Sequence, residues 1–359
     1  MKLKYGKFTG KIVALLLSGV LLAGCAAGNG GAAPAPAGNG AADAVAVEET
    51  HHFRVSTHYP VGHPAVGVLE RAIDQIYEAS NGRITMQVFP SSVLGDYILA
   101  FEELMRGSLD LAFITVPSVF DSRLGMVYLP YMLTDYSQMP HIYGRDSFFF
   151  QKLAEINAAL GVELLGIFGE GLIGIGFGTL AENFAIADAV KADILVRTPP
   201  IEAFVVTTQD MGFVTTSVPF ADLYTALQTG VADAWIGGPA ILNYTMFRDV
   251  INYFVSYNVF VESTAFLMSQ SVFNRLSEGD QRIIQDAFMD ASLYSFEVAE
   301  EINRQAKEDM RAYGIEVIEL TDEQMQAYVD LVREVTWPRF VDLIGQEIVD
   351  GILAYLDLD

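Results

Sequence analysis

The segment Asp193–Pro200 reads DILVRTPP, a short apolar run closed by one arginine, in a chain that carries 21 Lys+Arg against 45 Asp+Glu. A guanidinium is a planar fork of donors that grips a carboxylate through two parallel hydrogen bonds, and partial desolvation strengthens that grip. In open α/β sheets ligands gather beyond the carboxyl ends of the strands, where Arg197 falls after Ile194, Leu195 and Val196. Its other natural use is a salt bridge to Asp193 or Glu202. A second stretch, FADLYTALQTGVADAWIGGP from Phe220 to Pro239, reads as a helix, a Thr-Gly stop, a short strand and a glycine-rich loop bearing Trp235. Such a loop lets backbone and one large ring approach a ligand closely.

Further wall residues are expected at element ends: Thr57 and His58 after the first strand, Tyr97, Thr115 after the third strand, and Glu170 as an acceptor for a hydroxyl or amine. Each has an alternative role in packing. Catalytic patterns are missing from the sequence. The histidines stand at 51, 52, 58, 63 and 141 without H-E-x-x-H spacing, and there is no G-x-S-x-G and no Walker loop. GEGLIGIGFG is glycine-rich, but its alternating large residues suit a strand. These residues assign no catalytic group, no metal and no cofactor, and the chain is read as a non-enzyme.

These residues must be held by ordered elements, and the 359 residues, 52% hydrophobic, suffice for about two domains. The formal charge of −24 excludes sequence-independent nucleic-acid binding, which needs clustered basic residues. Residues 1–25 combine four lysines, an apolar run from Ile12 to Ala23 and the ending Leu-Ala-Gly-Cys, the pattern of a signal peptide closed by a bacterial lipobox at Cys25. Cys25 is the only cysteine, so no intrachain disulfide is available. The expectation is an extracytoplasmic protein held at the membrane through the N-terminal lipid alone. Residues 26–50, rich in Ala, Gly and Pro at their start, read as a flexible tether.

From His51 onward strands and helices alternate: HHFRVST, a helix ending near Asn81-Gly82, RITMQVF, YILAFEELMRG and the apolar LDLAFITV. Continuous apolar strands of this kind predict a parallel sheet covered on both faces. A second α/β set follows, and the tail from Leu276 is mostly amphipathic helix, its first part long enough to cross two lobes.

FPSSVLGD, ELMRGSLDLAFI, YLPYML, ILVRTPP and LYTALQTGVADAW occur here in the order and at the spacing that resemble the DctP-type solute receptors of tripartite ATP-independent periplasmic (TRAP) transporters. The resemblance spans about residues 52–335. It implies a two-lobed, periplasmic-binding-protein-like α/β fold with a long helix crossing both lobes: 51–174 plus 263–302 as lobe I and 175–262 plus 303–359 as lobe II. It also implies a small carboxylate enclosed as the lobes close, and delivery to TRAP permease subunits. Arg197 matches the arginine that grips the substrate carboxylate, and Phe220 a ring that stacks on it. The asparagine that relatives often carry after the Trp235 segment is absent, leaving backbone at Gly237 or the side chain of Asn243 as substitutes. Ile173 stands where sialic-acid-binding relatives place a second arginine, which argues against that ligand. The aromatic residues favour a monocarboxylate with an apolar or aromatic body. An ABC-type solute receptor or the ligand-binding subunit of a sensor are the alternatives.

Overall fold

The computed structural model describes residues 49–356. The expected signal peptide with Cys25, the tether up to residue 48 and the last three residues lie outside the described residues.

Two sheets organise the chain. The first contains β1 (His51–Thr57), β2 (Ile84–Phe89), β3 (Leu111–Ile114), β4 (Val162–Leu172) and β10 (Val261–Ser269), in the order β2-β1-β3-β10-β4. The second contains β5 (Gly174–Phe177), β6 (Lys191–Thr198), β7 (Phe213–Ser217), β8 (Ala234–Gly238), β9 (Tyr253–Ser256) and β11 (Glu316–Glu319), in the order β11-β9-β5-β8-β6-β7. Each sheet forms the centre of one lobe of a two-lobed α/β fold.

The sheets are mixed rather than wholly parallel. β1 pairs in parallel with β2 and β3, as the strand-helix-strand order requires, but β10 inserts antiparallel between β3 and β4. The cause is topological: β10 returns from the second sheet and enters the first from its opposite end. An all-apolar strand carries no mark of direction, because burial on both faces reads the same either way.

The lobes are linked by strands that cross directly. β4 runs into β5 through the single residue Ile173, and β9 runs into β10 through Tyr257–Phe260. These links are hydrogen-bonded to each other, Ile173 N–H to Phe260 O at 2.8 Å and Val259 N–H to Ile173 O at 3.1 Å. The third crossing is the 36-residue helix Glu278–Tyr313, packed on β4 and the helix Pro64–Ala79 at one end and on β11 at the other. Ser277 caps its start, its hydroxyl accepting from Asp280 N–H at 3.1 Å. Gly166 on β4 admits this helix: a Cβ there would stand 2.8 Å from Phe288 O.

The chain then turns back. The helix Trp337–Ile344 packs against the turn Ser122–Tyr128, and the helix Gln346–Tyr355 against the helix Phe148–Ala159. Trp337 Nε1 donates to Pro130 O at 2.8 Å, fixing that return. No helix of the described residues is long and apolar enough to cross a membrane.

Candidate functional site

Arg197 occupies the carboxyl end of β6 because the preceding residues alternate into a buried strand: Ile194 and Val196 are core, and β6 lies between β7 and β8. Only 2% of the residue is exposed. Its Nε donates to Val218 O at 2.8 Å, which orients the guanidinium, and among the described residues no carboxylate lies within 4.0 Å of it. Neither Asp193 nor Glu202 pairs with it. Burial pulls its pKa from 12.5 down to about 10, with Tyr97 opposing the shift, so the group remains protonated at neutral pH.

Gly237 stands beside it with φ +136°, a backbone open to glycine and strained for other residues. A Cβ at that position would lie 3.6 Å from Arg197 Nη1, so the main chain there passes directly over the guanidinium.

Trp235 differs from expectation. It lies within β8 rather than in a loop, with its ring fully buried and its centroid 4.5 Å from that of Phe247. The strand continues through both glycines because Gly174 and Ile175 of β5 pair with Gly238 and Ile236. Asn243 is also fully buried, its amide donating to Gly238 O and Pro239 O at 3.0 Å each, so it braces the end of β8. Phe220 is 42% exposed and packs edge-on against Phe247.

The remaining candidates stand at element ends around the first sheet, Thr57 and His58 at the end of β1, Thr115 after β3 and Glu170 near the end of β4. Tyr97 opens the helix Tyr97–Arg106 behind its Asp96 cap and is half-buried. Desolvation and Asp96 raise its phenol pKa, while the Arg197 guanidinium works in the opposite direction. Tyr128 is buried, and burial first, then Glu262 and Tyr97, push its phenol pKa well above the ordinary value. Thr57 is wholly buried, its hydroxyl accepting from Tyr59 N–H at 3.3 Å. His58 stacks obliquely on Tyr59 at 4.3 Å, and burial followed by the neighbouring His63 lowers its pKa to about 4.

Glu170, near the end of β4, does not face solvent. Tyr59 donates to its Oε2 at 3.1 Å, and His63 Nε2 lies 3.3 Å from its Oε1. Glu262, near the start of β10, was not singled out by the sequence. It is 9% exposed, and burial, then Glu170, raises its pKa well above the ordinary carboxylate value. The available signal was a lone acid inside the otherwise uncharged run VESTAFLMS.

The second sheet thus carries a buried cation at a strand end, and the first carries buried tyrosines, threonine and two buried carboxyls. Among the described residues no group of three or more His, Cys, Asp or Glu is placed to hold a metal. Such a two-lobed α/β fold is that of a solute-binding receptor. The chain belongs to the DctP family, bacterial extracellular solute-binding protein, family 7, whose model matches residues 55–340.

Among curated relatives, the ectoine-binding periplasmic protein TeaA of Halomonas elongata is 26% identical over 299 residues, covering 78% of this chain and 83% of the relative. The C4-dicarboxylate-binding periplasmic protein DctP of Vibrio cholerae is 25% identical over 312 residues, covering 84% and 89%. Among solved structures, the TRAP periplasmic solute-binding protein of Desulfovibrio salexigens with bound orotic acid superposes with a TM-score of 0.76 at 21% identity, covering 85% of this chain and 97% of that one. The counterpart from Chromohalobacter salexigens with bound D-glucuronate gives 0.76 at 21%, covering 85% and 99%.

Proposed function

We propose that this chain captures a small organic acid between its lobes and delivers it to the membrane subunits of a TRAP permease, without chemical turnover. The observation that carries this reading is Arg197: a charged guanidinium, 2% exposed, oriented by one backbone carbonyl and lacking a carboxylate partner among the described residues. A buried cation in that state is costly unless a counter-ion completes it, and an acid entering the crevice supplies one. Ectoine, C4-dicarboxylates, orotic acid and D-glucuronate, named for the relatives and structural neighbours, all bear a carboxylate.

In this reading Arg197, Gly237 and Phe220 contribute from lobe II, and Tyr97, Thr115, His58, Thr57 and Glu170 from lobe I. Trp235 and Asn243 support the lobe II wall from behind. The lobe division follows the crossings near residues 174, 262 and 302. A lipid on Cys25 would retain the receptor at the outer face of the membrane. Closure is favoured because a solute bridging both walls makes contacts that the open state lacks.

The test is a thermal-shift screen with an organic-acid library, since a ligand of the native state raises the melting temperature by mass action. At least one acid should raise it, and Arg197→Ala should abolish that shift. Tight binding retained in Arg197→Ala would overturn the proposal.

A further inference from the structure

We propose that the joint between the first sheet, the long helix and the segment after β8 holds one buried water molecule, which accepts a hydrogen bond from His63 Nε2 and donates one to Glu170 Oε1. This site is separate from Arg197 and does not rest on the acid-binding reading.

His63 and Glu170 are both more than nine-tenths buried, and among the described residues His63 Nε2 and Glu170 Oε1 have no hydrogen-bond partner. The two atoms stand 3.3 Å apart, yet other contacts hold them out of line for a direct bond. His63 caps the helix Pro64–Ala79: its Nδ1 accepts from Ala65 N–H at 3.2 Å, and its ring lies flat on Tyr59, with centroids 4.6 Å apart and planes at 19°. The carboxylate is fixed by its other oxygen, Oε2, which accepts from Tyr59 OH at 3.1 Å. Neither group can turn toward the other without giving up a contact it already makes. Left unpaired, each would cost the fold its desolvation penalty.

The cap also settles what the imidazole offers. An Nδ1 that accepts carries no proton, so neutral His63 carries its proton on Nε2. The cavity is therefore lined by a donor and an acceptor side by side. A cation would be opposed by the N–H and an anion by Glu170. Water answers both, accepting from the one and donating to the other.

Size and lining agree. His63, Glu170 and Ser295 line a cavity of about 20 Å³ whose other side chains, among them Phe168, Ile241 and Ile302, are apolar. One water needs about 10–15 Å³ of such space, and an organic solute needs far more. Ser295 Oγ accepts from Gly169 N–H at 3.1 Å and donates to Ser292 O at 2.7 Å, which leaves one lone pair for the water's second proton. A buried water ordinarily has about three partners.

The place gives this water a mechanical role. Glu170 stands three residues before the crossing at Ile173, and Asn303 of the long helix donates to its carbonyl at 2.7 Å while accepting from Ile241 N–H at 3.1 Å. One side-chain amide thus ties the end of β4 to the segment after β8, and the water fills the space left among the elements so joined.

A high-resolution crystal structure should show a single density peak within about 3.2 Å of both His63 Nε2 and Glu170 Oε1. Proton–nitrogen correlation spectra of the imidazole should show the Nε2–H tautomer, and a nuclear Overhauser cross-peak should connect the ring to water. Ala299→Val, which adds methyl groups to the cavity wall, should abolish that cross-peak. A dry cavity with a direct His63–Glu170 bond, a metal ion in the density, an Nδ1–H tautomer, or a cross-peak that survives in Ala299→Val would each overturn the inference. Should Ala299→Val not fold, the wild-type density and tautomer decide alone. None of these outcomes bears on Arg197, whose test is acid binding.

Discussion

Burial disfavours the charged form of both Arg197 and Glu262. For Arg197 the folded pKa lies below the ordinary value, so its charged form is disfavoured by folding at every pH below about 10. Replacing it with methionine, which fills similar volume without charge, is expected to raise the stability of the solute-free chain by about 1–3 kcal/mol while ending acid binding. Chemical denaturation with and without acid separates the two effects, and a destabilised Arg197→Met would show that the guanidinium is a structural tie. His58 works in the acidic range. Its folded pKa of about 4 lies below 6.5, so the unfolded chain takes up its proton first. The stability contribution is complete above pH 6.5 and is lost as pH falls toward 4, by at most about 3 kcal/mol. Denaturation at pH 7.5 and pH 4.5 should show that loss in the wild type and a smaller one in His58→Asn. Glu262 has the opposite sign: its raised pKa stabilises the fold at low pH and loses that contribution as pH rises above 4.5.

At the scale of elements, the contact between β4 and the long helix is the one least tolerant of added volume. Gly166→Ala would drive a methyl to 2.8 Å from Phe288 O and 2.3 Å from Ser292 Oγ. A loss of about 1–3 kcal/mol is expected from this overpacking, read as a lower melting temperature. Wild-type stability in that variant would mean the helix rides more loosely on β4 than described. The first three strands and first two helices were legible in the sequence, because strand and helix periodicities alternate cleanly there and end at turn residues. The antiparallel entry of β10 was not, since VESTAFLMS is buried on both faces and identical patterns serve either direction. Arg197 could be found because a lone charge closing an apolar strand is conspicuous. Glu262 has the same signature but opens its strand, where the rule that ligands sit beyond carboxyl ends gave no reason to look. WIGGP has the composition of a turn, whereas pairing with β5 holds Trp235 in a strand. Glycines there admit close packing against the ring: a Cβ at Gly238 would come within 2.6 Å of it.

At the scale of the whole molecule, a net charge of −24 means that folding concentrates like charge on one surface. Screening should relieve it, so the melting temperature is expected to rise by a few degrees between about 50 and 500 mM sodium chloride. A flat or falling dependence would indicate that the acids are already offset by local pairs such as Arg304 with Glu301 and Glu308. Small-angle scattering gives the complementary test of closure: a bound acid should contract the radius of gyration of the wild type and leave that of Arg197→Ala unchanged.

The return of the last two helices onto the turn Ser122–Tyr128, with Trp337 seated on Pro130, has a mechanical sequel. The polypeptide is stitched back and forth, so neither half is a contiguous stretch that a single cut could release as an autonomous module. Denaturant melts followed by tryptophan fluorescence and by far-ultraviolet dichroism should accordingly coincide in one transition, the chain coming apart as a unit.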